Sequence, residues 1–237
     1  MPKTNELIFF IVCINIYIRK LIQCEIFPNV RNSKADLFIS HFNTFVMQLD
    51  RPLILASNSP RRKEIMHNAG FTFSVKVIPT DETFPADMPV AEVPAFLAKN
   101  KALCFRENLA NEIILCADTV VVVANEIINK PVDTADARRM LRLLSNKVHK
   151  VITGVCIMTQ EETITFADTT YVTFKELSDW EIEYYIQKCQ PFDKAGSYGV
   201  QDFIGMIGIT KIEGSFYTVM GLPIHKVYEE LEKYMIR

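Results

Sequence analysis

The 237-residue sequence has one tryptophan, eight glycines and only four histidines, and its charges nearly cancel. Each of these shortages excludes something. With 26 basic residues against 28 acidic ones and a formal charge of −2, no global field draws in a nucleic acid polymer or an anionic membrane. Any anionic ligand must then be held by a local cluster. The six cysteines, Cys13, Cys24, Cys104, Cys116, Cys156 and Cys189, contain no C-x-x-C pair, which speaks against a zinc knuckle or a redox dithiol and for reduced thiols in a cytoplasmic protein. His41, His67, His149 and His225 show no H-x-x-x-H spacing, and G-x-S-x-G, the P-loop and G-x-G-x-x-G are all absent. The longest strongly apolar stretch, Leu7 to Ile18, is 12 residues long, whereas a membrane-spanning helix needs about 20. No small-residue cleavage pattern follows it, so neither a signal peptide nor stable membrane association is expected.

What is present is a chain with 49% apolar and 23% charged residues, enough to bury one substantial core. Residues 1–50 read as an N-terminal extension of unknown role. After Arg51-Pro52, short apolar runs alternate with helical patterns over residues 51–237, the texture of an α/β domain. Leu53 to Ala56 predicts a buried strand. Ser59-Pro60 then offers a helix start and Gly70 a stop. A second helix is expected over about Val93 to Asn108, a largely buried strand over Ile113 to Ala124, and a helix over residues 134–145. Val148 to Met158 and Thr163 to Phe174 predict a hairpin around Gln160-Glu161-Glu162, Ser178 to Glu181 has capping-box spacing, and Pro223 opens the last helix.

Three segments carry chemistry. Ser57 to Lys63 (SNSPRRK) places hydroxyls, backbone N–H groups and three cations at a helix start. Such an end attracts anions, while its dipole repels the very cations found there, so this segment by itself is read equally well as an anion-binding loop or as a solvated basic first turn. Asp118 is the only charge in its apolar run, and a carboxylate there requires a cation, a metal or hydrogen bonds. Asp81-Glu82 supplies loop carboxylates able to share a divalent ion. Lys130-Pro131 and the glycine-rich Lys194 to Gln201 add further cations and close backbone approach. Cys116 reads as a core residue and His149 as a structural one. Together these features point to metal-assisted chemistry on a polyphosphate without identifying the ligand.

The segments LILASNSPRRKEIM (53–66), DET (81–83), LAKNKA (97–102), ADTVV (117–121), NKP (129–131), HKVITG (149–154), KAGSYGVQ (194–201) and IEGSFYTVMGLP (212–223) together resemble the Maf family of nucleoside triphosphate pyrophosphatases. Asn146 replaces the glycine expected before His149 in that pattern. The resemblance implies a fold like that of Maf and inosine triphosphatase proteins, an elongated, curved mixed sheet flanked by helices with a cleft between two lobes. It also implies a cytoplasmic homodimer and cleavage of a nucleoside triphosphate to the monophosphate and pyrophosphate with Mg²⁺ or Mn²⁺. By the same resemblance Asp118 is the proton acceptor, Glu82 and Asp118 are metal ligands, and Lys101 and Lys130 are catalytic lysines. Ser59, Arg61, Arg62, Thr119, Lys194 and Gln201 would bind the substrate. Arg61, Thr119 and Gln201 match the branch acting on dTTP and UTP. Two alternatives stay open: the same reaction on 7-methyl-GTP or another noncanonical nucleotide, and a non-catalytic nucleotide-sensing regulator.

Overall fold

The computed structural model describes residues 47–236, which fall within one compact unit, Val46–Arg237. The apolar run at residues 7–18 lies outside the described residues, as do Cys13, Cys24 and His41. In chain order the elements are β1 (Leu53–Leu55), α1 (Pro60–Asn68), β2 (Ser74–Val75), α2 (Val93–Leu103), β3 (Ile113–Val123), β4 (Glu126–Ile128) and α3 (Thr134–Leu144). They continue with β5 (Val148–Met158), β6 (Thr163–Phe174), α4 (Asp179–Cys189), α5 (Phe203–Gly208), β7 (Ile209–Glu213), α6 (Phe216–Met220) and α7 (Ile224–Leu231). Met47 bridges to Phe71 and Leu49 to Met235, so residues that the sequence reading puts in the extension pair with the folded body.

The expected elements form where their local signals are strong. Ser178 accepts from the Glu181 N–H while Glu181 reaches back to the Ser178 N–H, a complete capping box. Asn146, where the resemblance leads one to expect glycine, adopts φ 55°, a left-handed conformation that asparagine tolerates better than most residues. The second helix stops at Leu103 rather than Asn108. Beyond it a 3₁₀ turn, Arg106–Asn108, follows buried Phe105, and Arg106 is drawn off to the Thr159 carbonyl and the Thr163 hydroxyl. β2, β4, α5, β7 and α6 are too short to announce themselves by periodicity. The turn between β3 and β4 has Ala124 and Asn125 both at positive φ, 49° and 68°, the geometry of a tight hairpin reached without the usual Asn-Gly.

A seven-stranded, open mixed sheet results, in the order β2-β1-β3-β5-β6-β7, with β4 also paired to β3. One edge of β3 is covered by antiparallel β5 from Ile114 to Val122. Its other edge is divided: β1 lies parallel to Ile113–Leu115, and β4 pairs antiparallel with Val121–Val123. Neither strand covers residues 116–120, so the sheet opens at mid-strand, and Asp118 is at the centre of that opening. The core divides likewise. The larger clusters are one that joins Leu55, Met66, Leu115, Leu222 and Leu231 and one that joins Val121, Leu141, Phe174, Ile182 and Tyr185, with two smaller ones packing α2 on β3 and β5. The cleft between these two lobes follows from one strand having different neighbours at its two ends. Among the described residues no helix is long and apolar enough to cross a membrane.

Candidate active site

The opening in the sheet is the floor of a cavity of about 580 Å³, a size suited to a small ligand. Its walls come from the β1–α1 loop, the segment before α2, α2 itself, the middle of β3, and the loops around Gln201 and Gly221. Ser59, Arg61, Arg62, Glu82, Lys101, Asp118, Thr119, Lys130 and Gln201 all line it, so these sequence-predicted residues do converge. Lys194 is not among the lining residues. Its ammonium lies 2.7 Å from Asp193 and 3.7 Å from Asp202, and only Asp193 faces the cavity.

Asp118 obtains the compensation its apolar strand demands. Lys101, projecting from α2, places Nζ 2.5 Å from Asp118 Oδ1 and 2.7 Å from Glu82 Oε1. Burial alone would lower the Lys101 pKa, but the two carboxylates outweigh it and hold it above the ordinary value. The Lys101 hydrogen bond in turn keeps the Glu82 carboxyl below its usual range, helped at longer range by Lys130 and Arg62. Asp118 Oδ2 has no hydrogen-bond partner among the described residues and is left to accept one from a ligand or water.

Asp81 and Glu82 do not act as a pair. Asp81 accepts from the N–H and hydroxyl of Thr83 and so closes its own turn, while Glu82 turns to Lys101. The two carboxylates that converge are Glu82 and Asp118, held around one cation. Among the described residues no three His, Cys, Asp or Glu side chains form a cage. A two-carboxylate set completed by ligand oxygens and water suits Mg²⁺ or Mn²⁺, which seldom need an all-protein cage.

The basic loop at the start of α1 divides its cations between two tasks. Ser59 is the residue before the helix, yet its hydroxyl makes no capping bond, and the residue lines the cavity. Arg61 donates to Asp193 at 2.9 Å. Among the described residues Arg62 is held only by neutral acceptors: Nε donates to the Gly221 carbonyl at 2.7 Å, and the two terminal nitrogens to Ser57 Oγ at 3.3 Å and Thr119 Oγ1 at 3.1 Å. Burial lowers its guanidinium pKa, an effect that the nearby Asp118 charge offsets only in part. Neutral acceptors fix the side chain without cancelling its charge, which remains available to an anion. Lys130 has no bonded partner among the described residues.

Four further contributors were given no individual role by the sequence, although Ser57, Tyr198 and Gly221 lie in segments it singled out. Asp193 is the carboxylate that engages Arg61 and Lys194, and its acidic neighbourhood to Lys194 was the available signal. Tyr198 lines the cavity, with its hydroxyl 2.7 Å from His149 Nε2. Ser57 is buried and accepts from Arg62 and the Ser59 N–H. Gly221, at φ 107°, presents its carbonyl to Arg62. His149 itself is buried, and burial lowers its pKa to about 4, in keeping with a neutral structural role. Cys116 is fully buried with its thiol pKa raised to about 12 by burial, which suits a core residue and not a nucleophile.

Residues 52–234 match the family described as Maf-like protein. A dTTP/UTP pyrophosphatase of Cytophaga hutchinsonii is 44% identical over 197 residues, covering 83% of this chain and 88% of that protein. A dTTP/UTP pyrophosphatase of Phocaeicola vulgatus is 48% identical over 183 residues, covering 76% of this chain and 95% of that protein. One from Porphyromonas gingivalis is 46% identical over 186 residues, covering 77% and 94%.

Proposed function

The chain belongs to the Maf family, and from that premise we propose that it is a nucleoside triphosphate pyrophosphatase acting on dTTP and UTP. It would release pyrophosphate and the nucleoside monophosphate, as a diphosphatase of acid anhydrides. The observation that carries this reading is Asp118. It lies in the mid-strand opening of β3, fixed through Oδ1 by Lys101, with Oδ2 turned free beside a loop of arginines.

In this reading water attacks the α-phosphorus, the bond from that phosphorus to the bridging oxygen breaks, and pyrophosphate leaves with the bonding electrons. Asp118 Oδ2 takes the proton of the attacking water. Arg62, Lys130 and the N–H groups at the start of α1 hold phosphate oxygens on which charge develops, a role for which fixed cations in a partly closed cleft are suited. Glu82 and Asp118 would hold Mg²⁺ or Mn²⁺, which when bound neutralises phosphate charge and acidifies water. Val77, Ile78 and Phe105 give the cavity an apolar wall for a nucleobase. Gln201 offers the amide donor and acceptor that a pyrimidine edge requires. A cytoplasmic homodimer is part of the same proposal.

The test is pyrophosphate release from dTTP, UTP, CTP, ATP, GTP and 7-methyl-GTP, each with Mg²⁺ or Mn²⁺, by the wild type and Asp118→Asn. Turnover of dTTP and UTP that collapses by roughly 10²-fold or more in the variant is expected. Turnover confined to 7-methyl-GTP would overturn the substrate choice. Folded, metal-loaded protein that cleaves none of them would overturn the reaction.

A further inference from the structure

Arg62 owes its position to a row of threonine hydroxyls behind it. Thr119 Oγ1, which accepts from Arg62, lies 2.9 Å from Thr153 Oγ1 on the neighbouring strand β5, where Thr119 and Thr153 are cross-strand partners. Thr153 is completely buried and donates to the Thr218 carbonyl at 2.8 Å. A carbonyl only accepts, and a hydroxyl has one proton to give. The proton of Thr153 is therefore committed to Thr218, and the Thr119–Thr153 bond has only one possible direction, with Thr119 donating. The proton of Thr119 then points away from Arg62, and its lone pairs face the guanidinium.

The far end of the row is anchored. Thr218 is also completely buried, and its own hydroxyl donates to Asp168 Oδ2 at 2.5 Å, while Asp168 Oδ1 meets Lys226 at 2.7 Å. Burial opposes ionisation of Asp168, but Lys226 and Thr218 outweigh it and keep its pKa low. Thr218 belongs to α6, and the residue that ends α6 is Gly221, whose carbonyl holds Arg62 Nε. A Cβ at Gly221 would lie 3.3 Å from Thr119 Oγ1 and 3.6 Å from Arg62 Nε. The same segment therefore supports the guanidinium twice, through the row of hydroxyls and through the carbonyl at its end.

We infer that Thr153 is a positioning residue for anion binding: by accepting from Thr119 and donating to Thr218, it orients the Thr119 oxygen that holds the Arg62 guanidinium toward the ligand. The inference rests on the reading of Arg62 as a phosphate contact. It goes beyond that reading by assigning a function to a buried residue that touches no ligand.

The experiment is calorimetric titration of inorganic tripolyphosphate, which has no base, into the full chain. The proteins are wild type, Thr153→Val, Thr153→Ser, Thr119→Val and the double valine variant, with dTTP turnover recorded in parallel. Each valine variant should bind about tenfold more weakly, as expected for disturbing one hydrogen bond to a charged group, and Thr153→Ser should stay within about twofold of wild type. Because the two hydroxyls act in series, the double variant should lose no more than the weaker single one, whereas independent packing defects would multiply to about a hundredfold. If Thr153→Val does not fold, Thr153→Ala removes the same hydroxyl without burying a second methyl group. There, loss in the alanine variant and retention in Thr153→Ser are expected, and equal affinities overturn the inference. Wild-type affinity in Thr153→Val, multiplicative loss in the double variant, or no tripolyphosphate binding by the wild type would each overturn it too. Wild type that binds tripolyphosphate with the expected pattern yet releases nothing from dTTP or UTP would leave the inference standing and overturn the pyrophosphatase reading.

Discussion

Gly154 stands directly opposite Asp118 in the β3–β5 ladder, and it is the absence of a side chain there that lets α2 reach the carboxylate. A Cβ at Gly154 would lie 2.1 Å from the Ala95 nitrogen and 2.2 Å from the Pro94 carbonyl carbon, both backbone atoms of α2. Gly154→Ala is therefore expected to push α2 off the sheet and to destabilise the protein by about 1–3 kcal/mol or more. Lys101 rides on that helix, so turnover should fall further than stability alone explains. Urea unfolding alongside dTTP turnover checks this, and an alanine variant unchanged in both would refute the packing argument.

Lys101→Met removes the ammonium from between Glu82 and Asp118. Without that hydrogen bond the Glu82 carboxyl loses the main cause of its lowered pKa and should titrate at higher pH. If ionised Glu82 is required, the acid limb of kcat/KM moves upward in the variant, and the rate at neutral pH falls roughly 10²-fold. A pH profile whose acid limb stays in place would separate Lys101 from the ionisation of Glu82.

Asp193 is a carboxylate competing for a cation that a triphosphate would use. The Asp193 pKa is lowered because Lys194 and Arg61 outweigh the effect of burial, and the Arg61–Asp193 pair is partly exposed. Such a pair is worth at most about 1 kcal/mol, so Asp193→Asn should tighten tripolyphosphate binding by up to about fivefold. Calorimetry checks the sign. Weaker binding in the variant would show that Asp193 orients Arg61 instead of competing for it.

Stability should fall on mild acidification because of His149. Its folded pKa is lowered to about 4 from an ordinary 6.5, so between those values the unfolded chain binds a proton that the folded chain does not. Stability then rises with pH across this window and is lost as pH falls through it, by about 3 kcal/mol in all. Most carboxylates titrate lower, which leaves pH 6.5 to 5 nearly specific to this group. Denaturant midpoints measured across that range should decline in the wild type and flatten in His149→Asn.

What was legible in the sequence was local. The cationic loop from Ser57 to Lys63, the lone charge of Asp118, the capping box at Ser178 and the turn at residues 160–162 each carry their signal within a few residues, and the fold honours all of them. Thr153, Gly154 and the Gly221 carbonyl gave no such signal. Thr153 reads as an ordinary strand residue until β5 is laid beside β3 in one register, and a backbone carbonyl has no letter of its own. Lys194 shows the reverse: a cation followed by two glycines reads as a ligand contact, while in the fold its ammonium pairs with Asp193, one residue earlier, and it is Asp193 that lines the cavity.

The hairpin of β5 and β6 pairs residue by residue from Met158 and Thr163 back to Val148 and Thr173, across a turn of only four residues. Arg62 and Gly221, by contrast, meet across 159 residues of chain. Closing a loop of that length costs far more conformational entropy than zipping a hairpin, so contacts of the first kind form early and contacts of the second kind late. Local opening should follow the same contrast: β5 is paired along both edges, whereas Gly221 ends a helix of five residues, so hydrogen exchange should find amides of β5 slower than those around Gly221 while the sheet is still whole.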